Sequence, residues 1–173
     1  MAAYWTDVAP ALPHGAAWSE PVNTNTADTN LFFYYATCRI ARLNRTQVVV
    51  KADIYTMRRK DYAYTVNVGM DGRDPDNNAY FSDQYTTREL PAGYYILAKT
   101  LYFICDAAPG QSLRVRVYLN SGAYKNFVTF TAPAYLLPEI KAKVNGEVVN
   151  ISEVYVNVGG VAVPVDSIKF NGG

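Results

Sequence analysis

The stretch "MDGRDPDNNAY" gathers four side chains with hard oxygen atoms, Asp71, Asp74, Asp76 and Asn78, within eight positions. Carboxylates and amide carbonyls at such spacing are the ligands that calcium takes. The order of Asp74, Asp76 and Asn78 matches the start of an EF-hand loop. The match stops there, because the sixth position is Ala79 where that loop needs glycine and the twelfth is Tyr85 where it needs glutamate. An EF-hand is excluded, and a polar connection is favoured over a looser calcium loop. No metal is expected. Asp71-Gly72 reads as turn chemistry, and Tyr80, Phe81 and Tyr85 follow in what reads as a loop-rich stretch. Rings with a flat apolar face and, in tyrosine, a polar tip suit sugars and interfaces. These seven residues therefore form the candidate ligand surface. Most of the fifteen tyrosines are better read as packing: Tyr62, Tyr64 and Tyr102 fall at alternating strand positions.

Other chemistry is sparse. The one histidine, His14, sits in a proline-rich segment with neither cysteine at ligand spacing, so a zinc site is not expected. A Ser-His-Asp triad would have to recruit that same histidine from irregular chain. No glycine-rich loop opens a helix, because no stretch carries a helical period. A glycan hydrolase would need two carboxylates facing across a cleft, and nothing in the sequence points to them. Catalytic residues and cofactors are expected to be absent, and the chain is not read as an enzyme. Cys38 and Cys105 are separated much as the inter-sheet cysteines of immunoglobulin domains are. Neither Trp5 nor Trp18 lies between them, however, and Phe103 stands where the corner tyrosine belongs. Two buried free thiols are expected.

The elements that must position these residues are strands. Half of the 173 residues are apolar and only 18% are charged, with a net charge of +1. That balance generates no field to gather nucleic acid or anionic lipid. The longest uncharged stretch, Asn126 to Pro138, contains two prolines and falls short of the ~18 residues of a membrane span. No basic, apolar leader opens the sequence, so no secretory signal is expected. Val48, Val50, Ala52 and Ile54 alternate with Lys51 and Asp53, as a half-buried sheet requires. Leu113, Val115, Val117 and Leu119 alternate with Arg114, Arg116 and Tyr118. Roughly seven such strands with regular turns predict an antiparallel β-sandwich, immunoglobulin-like or jelly-roll, over residues 31–134. Residues 1–30 read as an extended N-terminal arm anchored by Trp5 and Trp18, and residues 135–173 as a linker followed by tandem β-hairpins.

Those hairpins are an internal repeat. Ile140 to Gly146 ("IKAKVNG") is followed fourteen residues later by Val154 to Gly160 ("VYVNVGG"), and a third start comes at Ile168 to Gly172. Asn-Gly and Gly-Gly between strand-forming segments are strong signals for two-residue hairpin turns. A hairpin of this size buries little by itself and must pack on something.

The repeat resembles the short tandem hairpins, of the form "yVkvnGvWk-v", near the ends of bacteriophage tail, fibre and other virion proteins. Val154, Tyr155, Val156, Val158, Gly159, Gly160, Val161 and Val165 carry the match, with Ile140, Val144, Asn145, Gly146 and Val149 in the preceding copy. The tryptophan usual after the turn is replaced by Ala162 and Val148. The resemblance implies a structural subunit of a virion (tail, baseplate, collar, fibre or capsid surface), made in the bacterial host cytoplasm. The expected partners are further copies, with a trimer as the expected number, and other virion proteins. Neither nucleic acid nor membrane insertion is expected. Trp5, Trp18, Ile140, Val144, Val154, Tyr155, Val158, Ile168 and Phe170 are the candidate assembly contacts. The alternative is a module recognising host surface glycan through the Asp71–Tyr85 surface.

Overall fold

Alternation of apolar and polar side chains over the middle of the chain produces strands, and the strands make antiparallel sheets throughout. A computed structural model describes residues 3–13, 15–28, 32–58, 64–88, 93–119, 127–135, 140–144, 147–151 and 155–164. The described residues contain no helix. In chain order the strands are β1 (Ala3–Thr6), β2 (Val22–Asn23), β3 (Ala27–Asp28), β4 (Phe32–Arg42), β5 (Gln47–Arg58), β6 (Tyr64–Arg73), β7 (Ala79–Arg88), β8 (Ile96–Asp106), β9 (Ser112–Leu119) and β10 (Val128–Thr131). After them come β11 (Ile140–Val144), β12 (Glu147–Ile151), β13 (Tyr155–Val158) and β14 (Val161–Pro164).

One sheet runs β1-β8-β5-β4-β2, with β3 also on β4; a second runs β10-β9-β6-β7. The β4–β5 hairpin turns where Asn44 Oδ1 accepts from the Thr46 and Gln47 N–H groups, at 2.9 and 2.7 Å. This is an Asx-type closure, and it sets the register Arg42 opposite Val48. Pro109-Gly110 turns β8 into β9, with Gly110 at φ +81° and Gln111 N–H donating to Ala108 O (3.1 Å). Proline followed by a positive-φ glycine is type II turn chemistry.

The inward residues of both sheets form one buried cluster. Ala36, Cys38 and Ile40 come from β4, Val48, Val50, Ala52 and Ile54 from β5, and Leu101, Phe103 and Cys105 from β8. Val68 and Met70 of β6 and Leu113, Val115 and Val117 of β9 meet them from the other sheet. The two thiols are free and buried, and burial pushes both up to about 12. They lie on β4 and β8 of the same sheet with β5 between them, so no inter-sheet bridge can join them.

Within residues 3–28, β1, β2 and β3 all pair into the first sheet. β1 pairs with β8, setting Trp5 opposite Phe103. Ser19 and Thr24 then extend the edge of β4: Ser19 N–H donates to Ile40 O (2.8 Å) and Thr24 N–H to Ala36 O (2.9 Å). Their hydroxyls accept from the Ile40 and Ala36 N–H groups in return. Leu12, Trp18 and Leu43 cover a second buried cluster on the other side of that sheet, Ala41, Val49, Tyr102 and Ile104. The outward side of β5 is therefore divided. Lys51 pairs with Asp53 at 2.8 Å, while Val49 is fully buried under this cover.

Among the described residues β11 pairs with β12, and β13 with β14, as separate two-stranded sheets. Gly159 and Gly160, at φ +59° and +88°, join β13 to β14, and Asn157 Oδ1 accepts the Gly160 N–H at 2.8 Å. Two successive positive-φ residues are what a type I′ hairpin needs, and glycine adopts them without strain.

Candidate functional site

The stretch expected to be loop-rich is mostly strand. Asp71 and Gly72 are not a turn; they lie inside β6, and the chain reverses at Asp74–Asn78. Glycine at position 72 answers a packing need, since a Cβ there would sit 2.9 Å from two ring carbons of Phe103 and 3.0 Å from the Trp5 ring. The reversal is held by Asp74. Its Oδ1 accepts the Asn78 N–H (2.9 Å), its Oδ2 accepts from Asn78 Nδ2 (3.1 Å), and its carbonyl accepts the Asn77 N–H (2.9 Å). Asn77 sits at φ +65°, a conformation asparagine tolerates better than most residues.

The four candidate oxygen-bearing residues are thus engaged separately: Asp74 bonds to Asn78, and Asp71 to Arg116. Asp74 is buried, with its carboxylate turned on its own loop, while Asp76 and Asn78 are exposed. Asp71 lies on the outward side of β6, directly opposite Arg116 of β9, and Arg116 donates both Nε–H (2.9 Å) and an Nη2 hydrogen to Asp71 Oδ2. No group of three or more His, Cys, Asp or Glu gathers among the described residues as a metal centre would.

The aromatic trio also separates. Tyr80 and Phe81 are consecutive on β7, so their side chains leave on opposite sides of the sheet. Tyr80 packs inward on Phe103, with ring centroids 5.8 Å apart. Burial and the neighbouring Asp74 carboxylate raise the pKa of its hydroxyl. Phe81 is 58% exposed on the outward side, opposite Asp71. Tyr85 pairs through its backbone with Asn67, and its side chain lies outside the described residues. A continuous patch of Tyr80 with Phe81 is thus ruled out by strand geometry.

The outward side of the β10-β9-β6-β7 sheet instead carries a cation–aromatic cluster. The Arg114 and Arg116 guanidiniums lie 4.6 and 4.7 Å from the centre of the Phe127 ring. Arg114 Nη2 also donates to Asn77 Oδ1 (3.0 Å), and Arg73 Nη1 to Asn77 O (3.1 Å). Asp71 Oδ1 is buried and accepts no hydrogen bond among the described residues. Three guanidiniums, one carboxylate and two partly exposed phenyl rings make a face suited to stacking and to binding oxygen acceptors. The Arg-x-Arg alternation of β9 signalled this face in the sequence; the Phe127 contribution, from beyond the end of that strand, carried no such signal.

The expected assembly residues divide as well. Trp5 packs on Phe103 at 4.6 Å between centroids, and Trp18 covers the second cluster, so both are engaged within this chain. Ile140 and Val144 begin and end β11. Tyr155 and Val158, at the ends of β13, are 51% and 60% exposed. Val154, Ile168 and Phe170 lie outside the described residues. Comparison with protein-family models and with curated proteins finds no match to this chain.

Proposed function

We propose that this chain is a structural subunit of a bacteriophage virion that acts by protein–protein assembly rather than by catalysis. Its body is a β-sandwich, immunoglobulin-like or jelly-roll, and its C-terminal hairpins are the tandem repeats that join it to further copies or to other virion proteins. The observation that carries this reading is the way the hairpins are paired and exposed. Among the described residues β11 pairs with β12 and β13 with β14 in two-stranded sheets, and Val158 and Val161 are more than half exposed. A lone two-stranded hairpin is marginal in water, so a partner that covers those residues supplies its stability. Light scattering on the protein with and without residues 139–173 tests this. A defined oligomer that falls to monomer on truncation supports assembly through the repeats, and a monomer in both forms sinks it.

Recognition of host surface glycan is the second reading, and Phe81 with the Arg114–Phe127–Arg116 cluster favours it. Binding to host cells that is lost in a Phe81→Ala, Phe127→Ala double variant, with the oligomer intact, would move the proposal to this face.

A further inference from the structure

At the end of β4 a charge occupies a place that the strand pattern assigns to an apolar residue. Arg42 continues the inward series Ala36, Cys38, Ile40, and it is only 4% exposed. Its Nε–H and an Nη2 hydrogen go to Pro133 O, the former at 2.9 Å, and an Nη1 hydrogen goes to Ala107 O at 2.6 Å. These bonds tie the end of β4 to the segments that follow β8 and β10. Three of the five N–H groups of a guanidinium are used in this way, and two are left. No carboxylate faces Arg42 among the described residues. A buried cation with only neutral acceptors keeps most of its desolvation cost, which a bound anion would offset.

Arg42 also walls a cavity of about 150 Å³, together with Pro13, Ala16, Ala17, Ala134 and Tyr135. Apart from the guanidinium, the described residues of the wall carry no charged side chain. A space of that size takes a ligand of about six non-hydrogen atoms. The planar guanidinium matches a carboxylate in shape and charge, and the alanine and proline surfaces suit a short aliphatic remainder.

We propose that this cavity is a binding site for a small carboxylate, held by the two remaining N–H groups of Arg42. The carboxylate is either that of a free small acid or that of a peptide chain end. The test is thermal unfolding of the full chain in rising sodium acetate, at an ionic strength fixed with sodium chloride. The expected result is a saturable rise in Tm of roughly 2–4 °C at about five times the Kd. Acetamide, the neutral isostere, should give none. Ala134→Leu narrows the cavity and leaves Arg42 in place, and it should abolish the acetate response. An N-acetylated glycine dipeptide, as free acid and as amide, separates the sources. A shift with the free acid alone assigns the site to a chain end, and acetate active with both peptides silent assigns it to a free acid. No saturable rise with acetate, an equal rise with acetamide, or an unaltered response in Ala134→Leu would overturn the proposal.

Discussion

The β4–β5 and β13–β14 hairpins are built by the same local rules and end in opposite situations. Each has alternating strand residues and a turn closed by an asparagine side chain, Asn44 in one and Asn157 in the other. Yet Val50, Ala52 and Ile54 are fully buried, whereas Tyr155, Val158 and Val161 are mostly exposed. The first hairpin has β8 on its flank and a second sheet across its inner side; among the described residues the second forms a two-stranded sheet of its own. Local chemistry decides that a hairpin forms and in what register. What lies across its face decides how much stability follows.

Substitutions at the centre of the body should break this contrast most strongly. Phe103→Ala leaves a void between Trp5, Tyr80 and Gly72, and should lower stability by about 3–5 kcal/mol in urea unfolding. Alkaline pH should also act on the body alone. The Cys38 and Cys105 thiols, ordinarily near 9.0, are raised to about 12 in the fold. The unfolded chain therefore loses these protons first, so their contribution is intact below pH 9 and falls away between about 9 and 12. Cys38→Ala should flatten the decline of stability measured across that window. Gly72→Val, which drives a side chain into the Phe103 ring, should cost about 1–3 kcal/mol. Trp18→Ala, which uncovers the second cluster, should cost about 1–2 kcal/mol by lost apolar burial. Smallest on this scale is the pair Val158→Ser and Val161→Ser. The body should keep its unfolding free energy within about 0.5 kcal/mol, while any oligomer formed through the proposed hairpin contacts should fall to a monomer in light scattering. If that pair destabilised the body by several kcal/mol, the contrast between the two hairpins would be wrong.

What the sequence disclosed follows the range of the forces involved. The alternation in β5 and β9 and the Gly159-Gly160 turn rest on neighbours a few residues apart, and all were legible. Asp71-Gly72 misled because glycine serves turns and close packing equally. Only the approach of Phe103 and Trp5, from strands distant in the chain, decides which role applies here. The grouping of Tyr80 with Phe81 failed for a related reason. Tyr80 and Phe81 look like one aromatic patch until the segment is known to be a strand, and then they must part. The Asp74 loop was correctly seen as polar, but its carboxylate is turned inward by Asn78 rather than toward a ligand. Arg42 left no mark at all, because its acceptors are main-chain carbonyls, which every residue possesses.

The pairing of β1 with β8 has a consequence for how the chain is made. Trp5 meets Phe103 across adjacent strands, so the strand at the start of this sequence has no place to dock until the eighth has been synthesised. At about 5–20 residues per second, that interval is roughly 5–20 s. Throughout it the Trp5 strand waits unpaired while the β4–β5 hairpin, whose contacts are local, is free to close. A strand made about a hundred residues ahead of its partner thus docks after the hairpin that follows it has had time to close.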